Sequence, residues 1–343
     1  MSDFRIDKIT NRVGDTGTQI CGVTTFSGTS GMVMPGGPTE YRGGRGKGIQ
    51  GGGSSAVDVM DYVEIATTGN AIDFGNLTVG RRSLGAVSSS TRGVFMGGIA
   101  GPAWVNTIDY VTISSQGGAN DFGDLDSLNG RFSCVSNRLV GITGGGNDPS
   151  GYRSDMQYIN IATTGGVALW GELNDVLANQ GSSCASPTRG IMLGGYAPRG
   201  GSTVYIDRIQ YINLSSKGNG KDFGQLTVGT YDGGGNQSGN STRGLIGGGW
   251  VSPGALVNTI EYMTISTFGN AADFGDLTNT RANLGSTSNP TRGIFIGGDP
   301  GPGSTNIIDY VTIATTGNAL DFGDTPTAYQ QGSALSDTHG GLG

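Results

Sequence analysis

The stretch NTIDYVTISSQGGANDFGDL (106–125) is the unit from which this chain is built. It returns as VMDYVEIATTGNAIDFGNL (59–77), SDMQYINIATTGGVALWGEL (154–173), DRIQYINLSSKGNGKDFGQL (207–226), NTIEYMTISTFGNAADFGDL (258–277) and NIIDYVTIATTGNALDFGD (306–324). Its anchoring tyrosines are Tyr62, Tyr110, Tyr158, Tyr211, Tyr262 and Tyr310, at steps of 48, 48, 53, 51 and 48 residues. Self-similarity at that period predicts a repeat architecture of six copies.

Each copy resolves into four strands. In the second, LGAVS (84–88) is strand A, GVFMGG (93–98) strand B, IDYVTI (108–113) strand C and DFGDL (121–125) strand D. Strand C is apolar on both faces, with Ile108 and Tyr110 on one and Val111 and Ile113 on the other. A strand buried on both sides is expected where four-stranded antiparallel sheets stack radially, as the blades of a propeller do. Turn formers separate the strands: SSTR (89–92), SPTR (186–189), NSTR (240–243) and NPTR (289–292) between A and B, and Gly-Asn between C and D.

The first repeat has strand B (48–53), C and D but no strand A before it. The chain finishes with QQGSALSDTHGG (330–341), which aligns with ANLGSTSNPTRG (282–293), a strand A and its turn. The carboxyl-terminal strand is therefore expected to complete the first blade. That closes a six-bladed, all-β propeller over 47–343 and removes the open sheet edges.

Composition agrees. Of 343 residues 67 are glycine and 14% are charged, yet the glycine is periodic and interleaved with Val, Ile, Phe and Tyr, which favours short strands joined by tight turns over disorder. No stretch has a convincing helical apolar period. The net charge of −7 argues against a nucleic-acid partner, and no apolar run predicts membrane insertion or a signal peptide. Cys134 and Cys184 hold equivalent places in FSCVS and SSCAS. With Cys21 they read as small buried thiols of a protein assembled in a reducing cytoplasm.

Residues 1–46 lack the repeat. They hold two strand-like pieces, ICGVTTF (20–26) and GMVMPG (31–36), and a glycine- and arginine-rich link, YRGGRGKG (41–48). So short a segment with few large apolar residues does not build its own core. It is expected to pack along the propeller or to dock, as an attachment arm, onto a neighbouring subunit.

The pattern R-x₂-LG-x₂-S…TRG-x-F-x-GG…N-x-IDYVTI…DFGDL resembles a kelch repeat: a basic residue before strand A, a diglycine closing strand B, an aromatic in strand C. The tryptophan usual near strand D is Phe here (Phe74, Phe122, Phe223, Phe274, Phe322), with Trp170 the exception. More closely, the opening ITNR…GTQICGVTTFSGTSGM…GPTEYRGGRG (9–46) and the iterated TIDYVTIATTGNA-DFGDL resemble kelch-like virion structural proteins of marine cyanobacterial tailed phages. The resemblance covers essentially the whole chain. It implies a virion component of the fibre, neck or tail-appendage type, held in the particle by other virion proteins through 1–46, and a homo-oligomer there.

Residues suited to catalysis are sparse. The single histidine, His339, cannot supply a histidine-based metal site or a Ser-His-Asp arrangement, and no phosphate-binding glycine motif occurs in a strand-to-helix context. The repeated aspartates (Asp73, Asp121, Asp222, Asp273, Asp321) copy one position around a ring, which suits structure better than catalysis. The expectation is a non-enzymatic protein without metal or cofactor. The repeated Arg92, Arg189, Arg243 and Arg292 at the A–B turns are expected to be structural, pairing with those aspartates or covering aromatic surface.

The least uniform segments are the B–C loops (99–107, 146–155, 196–207, 249–259, 299–306), which share an end of the propeller with the D–A loops carrying Arg81, Arg82, Arg131 and Arg281. Trp104, Tyr152, Tyr196, Tyr205 and Trp250 are candidates for an aromatic binding face toward a host surface glycan or protein. The alternative is that these rings fold back over the blade tops and the protein is a bracket or decoration touching only virion proteins.

Overall fold

The computed structural model describes residues 25–27, 31–33, 46–174, 182–199, 202–234 and 237–342. The chain divides between Gly43 and Gly44. Of the first unit the structure describes an antiparallel pair, Thr25–Ser27 with Gly31–Val33; the rest of the expected attachment arm lies outside the described residues.

The second unit is a ring of six four-stranded antiparallel blades, with no α-helix among the described residues. From the axis outward, strands A to D of blade 2 are Gly85–Ser88, Arg92–Ala100, Ala103–Thr112 and Asn120–Asp124. The carboxyl-terminal Ser333–Ser336 is strand A of blade 1, pairing with Lys47–Gly51 in the register Gly48↔Ser336 to Gly51↔Ser333. The expected closure is borne out. One detail differs: after Asp337 the chain makes no A–B turn, and 338–342 turn into the axis of the ring, where His339 meets Ser88 and Gly340 N–H donates to Gly239 O.

A core cluster lies between each pair of neighbouring blades. Ala86, Phe95, Val111 and Ile113 of blade 2 face Ile49, Met60 and Phe74 of blade 1. The opposite face of blade 2, with Val94, Met96, Ile108 and Phe122, meets Cys134, Ile159 and Ile161 of blade 3. The alternation in strand C thus places both faces in cores, and burying each such side chain contributes roughly 1.5–3 kcal/mol. Cys134 and Cys184 are free, buried thiols in these cores, and burial pushes the Cys184 thiol up to about 12.

The repeated letters are joints between blades. The C–D turn of each blade docks on strand D of the blade before it. Gly165 N–H donates to Phe122 O and Gly117 N–H to Phe74 O. The closing joint uses Gly69 N–H to Phe322 O and Ala71 N–H to Asp324 O. The glycine of DFG is required there. Gly123 has φ 143°, and a Cβ on it would lie 2.5 Å from Gly165 O.

A cation covers every anchoring tyrosine: Arg92 on Tyr110 (4.4 Å), Arg189 on Tyr211 (5.0 Å), Arg243 on Tyr262 (4.5 Å), Arg292 on Tyr310 (4.7 Å) and Lys47 on Tyr62 (4.5 Å). In blade 3, where Val140 replaces the arginine, Lys217 of the next blade covers Tyr158 at 4.4 Å. Each arginine also donates to the following blade; Arg92 Nη1–H reaches Ile161 O at 2.9 Å. The repeated Asp73, Asp121, Asp222, Asp273 and Asp321 are exposed. The arginines thus cover aromatic surface, of the two partners expected for them.

Candidate functional site: the loop end of the propeller

Two belts of hydrogen bonds line the axis. At the loop end Ser83, Arg131, Asn283 and Gln331, each two residues before strand A, and Asp232, which aligns with them in blade 5, take the left-handed conformation (φ 53° to 60°). Arg131 N–H donates to Ser83 O, Ser83 to Gln331, Gln331 to Asn283 and Asn283 to Asp232, at 2.7–2.9 Å. At the opposite end Ser136 Oγ–H donates to Ser88 O, Ser88 to Ser336 O and Ser336 to Ser288 O. That end is filled. Gln237 Nε2–H donates to Ala86 O, and its Oε1 accepts from Ser136. His339, 1% exposed, accepts from Gly341 N–H at Nδ1, which fixes the tautomer whose Nε2–H donates to Ser88 O. Burial holds the imidazole down at about 4, against the Ser88 hydrogen bond.

The B–C segments, expected to be loops, are β-ribbons in blades 2 to 5. Strands B and C run on as Arg92–Ala100 with Ala103–Thr112 in blade 2 and Arg243–Val251 with Ala255–Thr264 in blade 5. Separate pairs, Asn147–Asp148 with Gly151–Tyr152 and Tyr196–Arg199 with Ser202–Tyr205, do the same in blades 3 and 4. Paired backbone makes these ribbons firm supports for side chains.

Four of the five expected aromatics come together on them. Tyr152 meets Tyr196 edge to face at 5.6 Å, Tyr196 meets Tyr231 at 5.6 Å, and Tyr231 meets Tyr205 at 4.7 Å and stacks on Trp250 at 6.5 Å. Tyr231 is the hub, and it was not among the expected residues. It lies in the segment where strand A of blade 5 begins, and its pairing with Trp250 on strand B lifts it to the end of the blade. The fifth, Trp104, stands apart from the array, packed over Gly130 with the Arg131 guanidinium 5.9 Å from its ring. Tyr152 is 39% exposed and the others half-buried.

Polar groups back this ledge. Asp232, beside Tyr231, is pushed up to about 7 by burial first and by Asp299, against the pull of Arg131. It therefore changes charge near neutrality. Burial and the Tyr152 hydroxyl raise the Tyr196 phenol to about 12, so it stays a neutral donor and acceptor. The rings and phenols form a surface suited to apolar or sugar-like faces, with one buried titratable carboxyl behind it.

Two arginines expected at this end are not on its surface. Arg81 and Arg281 are fully buried between blades, where Arg81 Nη1 lies 2.7 Å from Asp109 Oδ2 and Arg281 Nη2 lies 2.9 Å from Asp309 Oδ2. Each aspartate sits in strand C directly before the anchoring tyrosine. Asp109 accepts further from the Thr78 hydroxyl, and Asp309 from Thr278 N–H.

Among the described residues no three acidic, histidine or cysteine side chains are grouped to hold a metal, and no helix is long and apolar enough to cross a membrane. Compared with known protein families and with curated proteins, the chain matches none.

Proposed function

We propose that the protein is a non-enzymatic virion component whose propeller presents the aromatic ledge to a host surface glycan or protein, while residues 1–46 attach it, as a homo-oligomer, to other virion proteins. The observation that carries the binding role is the Tyr152–Tyr196–Tyr231–Tyr205–Trp250 array. It crosses three blades on ribbons that differ between repeats, while strands C and D hardly change. That division suits a scaffold holding adaptable contacts. The likeness of the repeat and of 9–46 to kelch-like virion proteins of cyanobacterial tailed phages supports the particle assignment.

Tyr196→Ala and Trp250→Ala together should leave folding intact and weaken binding to host surface material by roughly 2 kcal/mol or more per engaged ring. Adsorption of a phage carrying both changes measures it. Normal adsorption with fragile particles would replace this reading with a purely structural bracket.

A further inference from the structure

One position in the repeat carries a second kind of site. Two residues before the left-handed residue of the D–A segment, the chain supplies a donor to the buried strand-C carboxylate of the blade that follows. Arg81 serves Asp109 and Arg281 serves Asp309. In blade 1 the same position is Tyr329, whose hydroxyl donates to Asp61 Oδ2 at 2.5 Å. Blades 3 and 4 carry Gln157 and Gln210 in strand C, so no charge needs matching there.

Blade 5 breaks the pairing. It has an acid, Glu261, 5% exposed, but the donor position is Thr230, which cannot reach; its hydroxyl donates to Val228 O instead. Glu261 accepts from the Thr227 hydroxyl and N–H alone among the contacts that Asp109 enjoys. The space of the missing side chain is a cavity of about 60 Å³ lined by Thr227, Val228, Thr230, Ile246, Val257 and Glu261. That exceeds severalfold the roughly 10–15 Å³ needed for one water. Residue for residue it matches the Arg81 niche. Val228, Ile246 and Glu261 stand where Val79, Phe95 and Asp109 receive that guanidinium through two carbonyls and a carboxylate. Thr227 and Val228, which line it, are exposed. Burial also raises the Glu261 carboxyl, as expected of an acid whose counter-charge is missing.

We infer that the blade 5 niche is a binding site for a guanidinium group supplied from outside the chain, clamped by the Glu261 carboxylate as Arg81 and Arg281 are clamped in blades 2 and 6. The planar fork and the carboxylate match in geometry, which an ammonium does not reproduce. This goes beyond the aromatic ledge and does not depend on it.

Calorimetric titration of the full chain with ethylguanidinium at low ionic strength tests it. Saturable binding is expected, at least tenfold tighter than that of ethylammonium. Glu261→Gln should weaken it at least tenfold. Thr230→Arg should abolish it while raising the melting temperature, because the chain then fills its own niche. N-acetyl-arginine amide, added in parallel, identifies the source: tighter binding than ethylguanidinium points to an arginine of a polypeptide partner, equal binding to a free guanidinium compound, and either supports the site. No saturable binding, equal binding of ethylammonium, or retention in either folded variant overturns it.

Discussion

Blades 2 and 5 have the same outer half and different inner halves. Strands B and C have equal lengths in the two, each pair is bulged at the diglycine, and each tyrosine lies under an arginine and edge-on to a phenylalanine. Strand A of blade 2 pairs residue for residue from Gly85 to Ser88. In blade 5 the paired residues Thr230–Tyr231 lie on the ribbon, and among the described residues the stretch beside the axis pairs through the bridges Gly234↔Gly247 and Gly239↔Gly244. The lesson is where a blade is specified. Turn-to-strand joints and cation-covered tyrosines all sit on strands B to D, so the inner strand is free to vary. In blade 5 that freedom sends Gln237 into the axis and Tyr231 onto the ledge.

The largest effect should come from testing whether an inner strand is dispensable altogether. Deleting 331–343 removes strand A of blade 1 and the residues filling the axis, leaving Lys47–Gly51 as an open edge. Aggregation, or loss of several kcal/mol in urea unfolding, is expected. A monomer with unchanged melting would show that all blades tolerate what blade 5 does.

Next comes the buried pair. Arg81→Met leaves Asp109 buried and uncompensated in blade 2 and should cost about 3–5 kcal/mol. Thr230→Val at the equivalent place in blade 5 removes one hydrogen bond, worth about 1 kcal/mol. Equal losses would erase the distinction between the blades.

The axis filler gives a pH signature. His339 is held near 4 when folded, against about 6.5 unfolded. The unfolded chain therefore binds the proton first. The stability this neutral imidazole contributes is complete above about pH 6.5 and declines as pH falls toward 4, by roughly 3 kcal/mol in all. His339→Gln should flatten that part of the acid limb in urea unfolding at stepped pH; an unchanged slope would place the imidazole in water.

Smaller than the loss at the buried pair of blade 2, and equal in the two blades, should be the cost at the outer joint. Gly123→Ala and Gly275→Ala each bring a Cβ to 2.5 Å from the next blade's turn carbonyl, at φ 143° and 145°. Each should lose about 1–3 kcal/mol. A marked inequality in chemical denaturation would mean that the outer halves are not equivalent.

Period, strand C and closure were legible because each leaves a local mark: a repeated tyrosine, apolar residues on both faces, a missing and a spare strand A. The joints were harder to read. The Gly-Asn turn looks like an ordinary turn until strand D of the preceding blade is seen under it. The acid–donor pairs span two repeats, so Arg81 beside Arg82 reads as surface charge. Tyr231 was hidden because alignment places it at the start of an inner strand, while the chain there follows the ribbon. His339 aligned with a turn residue, and the alignment carried no sign that the chain would bend into the axis.

The closure of blade 1 also has a mechanical side. Strand Lys47–Gly51 is where the chain enters the ring, and it is paired on both flanks, with Ser333–Ser336 on one and Met60–Glu64 on the other. Its hydrogen bonds run across the strand direction. Tension applied at Lys47 along the strand therefore shears both ladders at once, and no single bond can be peeled first. A tether joined there transmits load into the middle of a sheet, and the last residues of the chain act as the bolt that keeps it from pulling out.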